Sequence, residues 1–155
     1  MIGKMKKWLG IEGVKVELDV PKFAFERIGA LSGKLRFFTK HPQRVEHVRV
    51  KLIERYSRGR GRDKLVDEYV LGEVELTEPF EVRPEEVVEK EFLLPFTLLH
   101  SDMDRWQRSN PLTGGLVRVA KLLRKVRSDY RVEVEARVQG TALNPFDRKP
   151  LRILP

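Results

Sequence analysis

A strict alternation of apolar and charged residues recurs along this chain and limits its fold more than any other feature. In residues 130–138 the even positions are apolar or aromatic, from Tyr130 to Val138, while the odd positions carry arginine or glutamate. Residues 14–20 show the same pattern. Because successive side chains of a strand point to opposite sides of a sheet, each segment predicts a strand with one buried and one solvated face.

Further segments have the composition of strands and are separated by turns that contain proline or glycine. Residues 45–56 and 65–76 form the longest predicted pair. In the second of these, the residues expected to lie in phase are Val66, Val70, Val74 and Leu76. The other predicted strands cover residues 31–37, 88–96 and 151–153, and the proline-containing segment 76–84 suits a sheet edge or a crossing between sheets.

About seven or eight strands in a chain of 155 residues predict an all-β fold. The expected architecture is an immunoglobulin-like antiparallel β-sandwich, because short strands with one apolar face bury those faces between two sheets. The length suits a single domain over residues 1–155.

One segment breaks the strand pattern. Residues 105–128 contain seven cations and no acid, and they hold most of the net charge of +8. Apolar residues at positions 116, 119, 122, 123 and 126 recur at the spacing of one helix face, while several cations fall on another. The pattern predicts a cationic amphipathic helix that is inserted into the sandwich over residues 104–128.

The apolar side of this predicted helix must be buried, because a large exposed apolar stripe promotes aggregation. Three alternatives are open: the stripe packs on the sandwich with its cations in water, it lies on an anionic membrane surface, or it docks on an acidic protein groove or nucleic acid. Nucleic acid is the weaker case, because single-strand binders stack bases on several aromatic rings and Trp106 is the one aromatic residue of the segment.

Two shorter segments share the basic character. The glycine-rich residues 57–64 lie between predicted strands and are interpreted as a hairpin tip, with a phosphate-binding finger as the alternative. Residues 1–10 are a second cationic amphipathic segment, which either caps the sandwich or adjoins the helix in one basic apolar surface. The residues predicted to line an interaction surface are Trp106, Arg118, Lys121, Arg124, Lys125, Arg127, Arg58, Arg60 and Arg62.

The residue types that carry most catalytic and metal chemistry are scarce. Without cysteine there is no disulfide, thiolate nucleophile or cysteine-ligated zinc. His41, His47 and His100 lack the spacing of a helical zinc site, and Gly114-Gly115 lacks the lysine and hydroxyl of a phosphate loop. We therefore expect no enzymatic activity, no cofactor or metal and no small-molecule substrate. A cytoplasmic location is expected, since no signal peptide or membrane span is recognised.

Three motifs together carry a resemblance to a known family. They are Leu76-Thr77-Glu78-Pro79-Phe80 with Val82 and Pro84, Phe92-Leu93-Leu94-Pro95, and Ala142-Leu143-Asn144-Pro145-Phe146-Asp147-Arg148. In this order they resemble the bacterial sporulation-control proteins of the arrestin-like superfamily, over residues 1–103 and 129–155. The resemblance implies an arrestin-type β-sandwich in a cytosolic, non-enzymatic regulator or scaffold that acts through protein contacts. The prolines and Phe80 are expected to set a strand crossing and a core anchor.

The chain departs from that family pattern in two ways. Family members usually carry two arrestin-like domains, whereas this length suits one, so self-association into a homo-oligomer is an open alternative to a second domain. The pattern also suggests a short connection where this chain inserts the basic segment. Protein partners of unknown identity are expected. The alternative function is a polyanion-binding module, for an anionic membrane surface or nucleic acid, that uses the basic helix 116–127 and the tip at 58–64.

Overall fold

A computed structural model describes residues 13–59, 65–98 and 127–155, and within these ranges the chain forms nine strands and no helix. The predicted all-β class is confirmed, and every predicted strand is present. The strands are β1 (Lys15–Asp19), β2 (Phe23–Phe25), β3 (Ala30–Phe38), β4 (Gln43–Arg58), β5 (Leu65–Leu76), β6 (Phe80–Val82), β7 (Val88–Pro95), β8 (Arg127–Val138) and β9 (Phe146–Leu154). None of the described residues belongs to a helix of the length and apolarity that crossing a bilayer requires.

The strands form two sheets. The smaller sheet has the order β1-β3-β7, and the larger has the order β2-β9-β8-β4-β5. Strand β8 pairs with one edge of β4, and β5 pairs with the other edge as far as Val48. Strand β6 pairs with Gln43–Val45 on the same edge as β5, beyond the point where β5 ends. The proline-containing segment therefore continues the edge that β5 begins, because proline cannot supply a complete ladder of hydrogen bonds.

The sandwich is not wholly antiparallel, which corrects the sequence-based prediction. Strand β2 runs parallel to β9, with Phe23 opposite Arg152 and Phe25 opposite Leu154. The Arg152 amide donates to the Lys22 carbonyl at 2.9 Å. Strand β9 pairs with β8 only as far as Leu151, so its last residues leave β8 and follow β2 instead. A three-residue strand is too short to show a period of two, and β2 was therefore not predicted.

The core lies between the inner faces of the two sheets. The alternation in β8 is realised as predicted, because Val132, Val134 and Ala136 are fully buried while the residues between them reach solvent. Leu35 and Phe37 of the smaller sheet are fully buried opposite them. Burial of one such side chain stabilises the fold by about 1.5–3 kcal/mol. These inner faces explain why alternation predicted the fold class.

Phe80 anchors the edge strand β6 to the other sheet, as the resemblance implied. Its ring meets the buried ring of Phe37 edge-on, with centroids 4.9 Å apart. The Lys90 ammonium lies 4.7 Å from the centroid of the Phe80 ring. An aromatic pair of this geometry adds about 0.5–1.5 kcal/mol beyond the area that it buries.

The predicted phase of β5 holds for Val74 and Leu76, which pack against the core, and is wrong for Val66 and Val70. The register of β4 against β5 shifts between Leu52 and Ile53, so that Gly72 opposes Leu52 while Val70 opposes Ile53. Leu71 is consequently buried, and Val70 is 54% exposed. The cause is a close approach that a single-strand pattern does not encode: a Cβ on Gly72 would collide with the Pro95 carbonyl oxygen at the end of β7.

Most of the predicted inserted helix lies outside the described residues, as does the cationic segment 1–10. Two residues of the helical prediction are described, and both contradict it. Arg127 and Ser128 begin strand β8, where they oppose Ser57 and Tyr56 of β4. The Ser57 hydroxyl donates to the Arg127 carbonyl at 3.4 Å. Pairing with the long strand β4 thus extends β8 into residues whose cationic character had suggested helix.

Candidate interaction surface

Strand pairing brings together the two predicted site residues that the structure describes. Arg58 ends β4 opposite Leu65, and Arg127 begins β8 opposite Ser57. The described ends of the two basic segments therefore lie at one end of the larger sheet. The side chains of Arg58 and Arg127 are on opposite faces, because Arg127 opposes the residue that precedes Arg58. The other predicted site residues, Arg60, Arg62, Trp106, Arg118, Lys121, Arg124 and Lys125, lie outside the described residues.

Exposed apolar side chains accompany these two arginines on strand β5. Leu65, Val66, Tyr69 and Val70 are 54%, 40%, 39% and 54% exposed. The other large exposed apolar residues among those described occur at most two to any six consecutive positions, whereas these four fall within six. We define the hairpin-end surface as the set Arg58, Leu65, Val66, Tyr69, Val70 and Arg127.

The hairpin-end surface lies along a sheet edge. Strand β5 is the last in the larger sheet, and no other described strand pairs with its outer side over residues 65–76. Its outer N–H and C=O groups are available to an added strand. Asp67 and Glu68 lie between the apolar residues on this edge. Charged side chains on an edge strand oppose nonspecific pairing with other strands.

A buried polar contact supports this end of the sheet from within. Glu54 opposes both Tyr69 and Tyr130 in the strand register, and it is only 4% exposed. Burial, reinforced by the negative charge of Glu54 and a hydrogen bond to it, raises the pKa of Tyr130 well above its usual range. The tyrosine is therefore held neutral and donates to the carboxylate. We interpret this contact as structural, because a buried carboxylate requires a hydrogen-bond donor.

The solvent face of the larger sheet carries compensated charges. Arg131 contacts Glu68 at 2.9 Å and Glu133 at 2.7 Å. Arg49 contacts Glu73 at 2.9 Å and Glu75 at 2.7 Å. The hydrogen bond from Arg131 lowers the pKa of Glu68. Exposed pairs of this kind contribute about 0–1 kcal/mol each, so they favour the strand register more than they stabilise the fold.

Two of the three histidines, His41 and His47, lie among the described residues. His47 lies on β4 beside a register shift, where it opposes Arg137, and the backbone carbonyl of His41 accepts a hydrogen bond from Thr39. No group of three or more His, Cys, Asp or Glu residues is placed to hold a metal ion within residues 13–59, 65–98 and 127–155. The site that the described geometry offers is a contact surface.

Sequence reasoning missed the apolar half of the hairpin-end surface. Positions 65, 66, 69 and 70 include both odd and even positions, so they do not follow a period of two, and no single face of one strand could bury all four. That spacing was the available signal that some of these side chains are exposed. The predicted apolar row of Val66, Val70, Val74 and Leu76 does not take it into account.

Two stacked sheets around a shared core define the described part of this protein as an all-β sandwich whose edge strand β5 bears exposed apolar residues. The family model described as SpoOM protein matches residues 2–155, so the chain belongs to the Spo0M family. The structure is similar to the crystal structure of Spo0M, a sporulation control protein from Bacillus subtilis, with a TM-score of 0.65 and 16% sequence identity. The match covers 94% of this chain and 51% of that one, so this chain spans about half the relative's length. No curated protein sequence matches. The predicted family resemblance is confirmed.

Proposed function

We propose that this chain is a non-enzymatic regulatory scaffold that acts through protein contacts, and that the hairpin-end surface is its contact site. The observation that carries the proposal is the run of exposed apolar residues on the free edge of β5. Membership of the Spo0M family supports a regulatory role, since the relative of known structure is described as a sporulation control protein.

Apolar side chains that stay exposed on a sheet edge forgo the free energy that their burial would provide. Contiguous apolar surface with a polar rim is uncommon on proteins that have no partner, and it marks interaction sites. An edge strand also offers backbone hydrogen bonds, so an extended peptide can add to the sheet while its alternate side chains contact the exposed apolar residues. We therefore infer an extended, largely apolar segment of another protein as the ligand. Acidic residues near one end of that segment would suit Arg58, which has no acidic partner within the described ranges.

The direct test compares partner capture by the intact chain with capture by the double variant Val66→Lys/Val70→Lys. Both side chains are exposed on the outer face, so the variant is expected to fold normally. Leu93→Lys is the matched control, because Leu93 is 60% exposed on β7 in the smaller sheet. Proteins retained by the intact chain and the control, and lost with the double variant, would support the proposal. Equal retention by all three would contradict it.

Purified components make the same test quantitative. A protein that the capture identifies is titrated against each of the three chains by calorimetry. Two lysines introduced into an apolar contact are expected to weaken binding by at least tenfold, because each unpaired charge must lose its water on docking. Identical dissociation constants for the intact chain and the double variant would remove β5 from the interface.

A second function is favoured by a separate observation, namely that Arg58 and Arg127 lie at the same end of the larger sheet. We propose as the alternative that this end binds a polyanion, either an anionic membrane surface or nucleic acid. The variant Arg58→Gln/Arg127→Gln is then expected to lose affinity for DNA, RNA or anionic vesicles. Nucleic-acid affinity should also fall linearly with salt on logarithmic axes. Unchanged DNA and RNA mobility together with failure to sediment with vesicles would exclude this alternative.

A further inference from the structure

A cleft opens in the larger sheet where two neighbouring strands separate. Tyr130 of β8 still opposes Leu151 of β9, but the next residue of β9, Arg152, pairs with β2 instead. The divergence leaves a concavity of about 960 Å³ between β8 and β9. Its apolar floor includes Leu151, which is 4% exposed, and the half-buried Tyr130.

Five cations line this concavity, and four of them, all except Arg131, have no carboxylate partner among the described residues. Lys22 precedes β2, Arg55 projects from β4, and Arg148 and Arg152 belong to β9. We call these four residues the cationic cleft. None of the four forms an ion pair with a carboxylate of the described residues, whereas Arg36, Arg49, Arg131 and Arg137 each do.

The two carboxylates in the cleft already have partners. Glu68 binds Arg131 at 2.9 Å, and Asp129 binds Arg127 at 3.2 Å. The positive charges of Arg131, Arg55 and Arg148 each help to lower the pKa of Glu68. Arg55 and Arg148 belong to different strands, β4 and β9, and both line the concavity.

An uncompensated cluster of cations in a concave site with an apolar floor concentrates positive potential. Guanidinium groups match the oxygens of a phosphate in fork geometry, and two strands that present them from opposite sides can hold one tetrahedral group between them. We propose that the cationic cleft binds a phosphate-bearing small anion. Two sources have this chemistry: a soluble phosphate compound or the headgroup of an anionic lipid. The proposal does not rest on the protein contacts proposed for β5.

Calorimetric titration of the intact chain with inorganic pyrophosphate at low ionic strength tests the cleft. The double variant Arg148→Gln/Arg152→Gln removes two of the four cations, and both side chains are exposed. Lys34→Gln/Arg83→Gln is the matched control, since it removes the same charge from exposed positions outside the cleft. We expect pyrophosphate to bind the intact chain and the control. The cleft variant should bind about tenfold more weakly or worse, as expected for lost charge-assisted hydrogen bonds.

Several outcomes would overturn the proposal. These are the absence of pyrophosphate binding at low salt, equal binding by the cleft variant, and an equal loss in the control, which would mean that net charge alone is sensed. Circular dichroism melts establish that each variant is folded. If Arg148→Gln/Arg152→Gln does not fold, Lys22→Gln/Arg55→Gln removes the other two cations and carries the same expectation.

Vesicles distinguish the two sources of phosphate. Phosphatidylcholine vesicles with and without phosphatidic acid, which exposes a phosphomonoester, are sedimented with the intact chain. If a lipid headgroup is the source, the chain sediments with the phosphatidic acid vesicles and pyrophosphate releases it. If the source is soluble, pyrophosphate binds in solution and neither vesicle sediments the chain. Either result supports the cleft, provided that Arg148→Gln/Arg152→Gln abolishes the binding observed.

Discussion

At the scale of single residues, a few positions decide details of this sandwich that alternation alone leaves open. Gly72 permits β5 to approach the end of β7, where the Leu71 carbonyl accepts a hydrogen bond from the Thr97 amide at 3.1 Å. The contact joins the two sheets and places Leu71 in the core. Because the strand then resumes one residue out of phase, Val70 is turned toward solvent.

Replacing Gly72 with alanine is expected to destabilise the fold by about 1–3 kcal/mol, the usual cost of overpacking a close contact. The added Cβ has no room beside the Pro95 carbonyl oxygen, and backbone cannot rotate away as a flexible side chain can. Urea unfolding measures the effect. Glu73→Ala is the control at the neighbouring exposed position, and a Gly72→Ala stability equal to that of the control would refute the close approach.

Tyr130→Phe is expected to cost about 1–3 kcal/mol, because it removes a hydrogen-bond donor from the buried carboxylate of Glu54. Tyr69→Phe, on the exposed edge, serves as the control and should change stability little. The folded-state pKa of Tyr130 is raised above its ordinary value of 10.0. Stability from this residue is therefore fully present below about pH 10 and falls as the pH rises further, since only the unfolded chain then ionises. Tyr130→Phe should lose less stability in that alkaline range than the intact chain, and equal losses would contradict the raised pKa.

At the scale of elements, the lateral closure of the sandwich depends on a contact between β1 and β9. The Leu18 amide of β1 donates to the Asp147 carboxylate of β9 at 2.8 Å. These strands belong to different sheets, and β1 is an edge strand. The Asp147 side chain thus accepts a hydrogen bond from the Leu18 amide, which has no described partner strand on that side. This contact holds the two sheets together along one side.

Asp147→Ala should increase the rate of hydrogen exchange at the Leu18 amide and lower the stability by about 1–3 kcal/mol, because the partly buried donor loses its acceptor. Exchange is followed by NMR or mass spectrometry. Asp129→Ala removes a carboxylate that is 53% exposed and pairs with Arg127, so it provides a control with little expected effect. Unaltered exchange at Leu18 would mean that the contact does not hold the edge.

Elements also show which parts of the fold could be predicted from sequence. The alternation in β1 and β8 predicted their buried faces, because each strand has one side toward the core and one toward water. The three residues of β2 contain no such signal, and their parallel pairing with β9 arises from the path of the chain. The shift in β5 depends on Pro95, which is distant in sequence. Patterns within one strand do not record contacts of this kind.

The candidate sites were predictable to a smaller extent. The basic composition identified Arg58 and Arg127, and their location at the same sheet end required the register of three strands. The cationic cleft combines residues from three regions of the chain, none of which is conspicuous by itself. It exists because β9 leaves β8 at Arg152, and a divergence of strands is a property of the assembled sheet.

At the scale of the whole molecule, a well-buried sandwich carries two surface features that its stability does not need. The core is shared by both sheets, and several charges on the larger sheet are paired across strands. Against this background, the hairpin-end surface leaves apolar groups in water, and the cationic cleft leaves cations without acids. Both features have a physical cost in the isolated chain. We interpret them as surfaces for ligands, the first for protein and the second for phosphate.

The central claim is that the edge of β5 contacts a protein partner, and hydrogen–deuterium exchange tests it most directly. Peptides that cover residues 65–70 are compared in the intact chain alone and in complex with a captured partner, with the edge strand β7 (Val88–Pro95) as the internal reference. The account predicts slower exchange at residues 65–70 in the complex and unchanged exchange in β7. Protection confined to other strands, with residues 65–70 exchanging as fast as in the free chain, would contradict it.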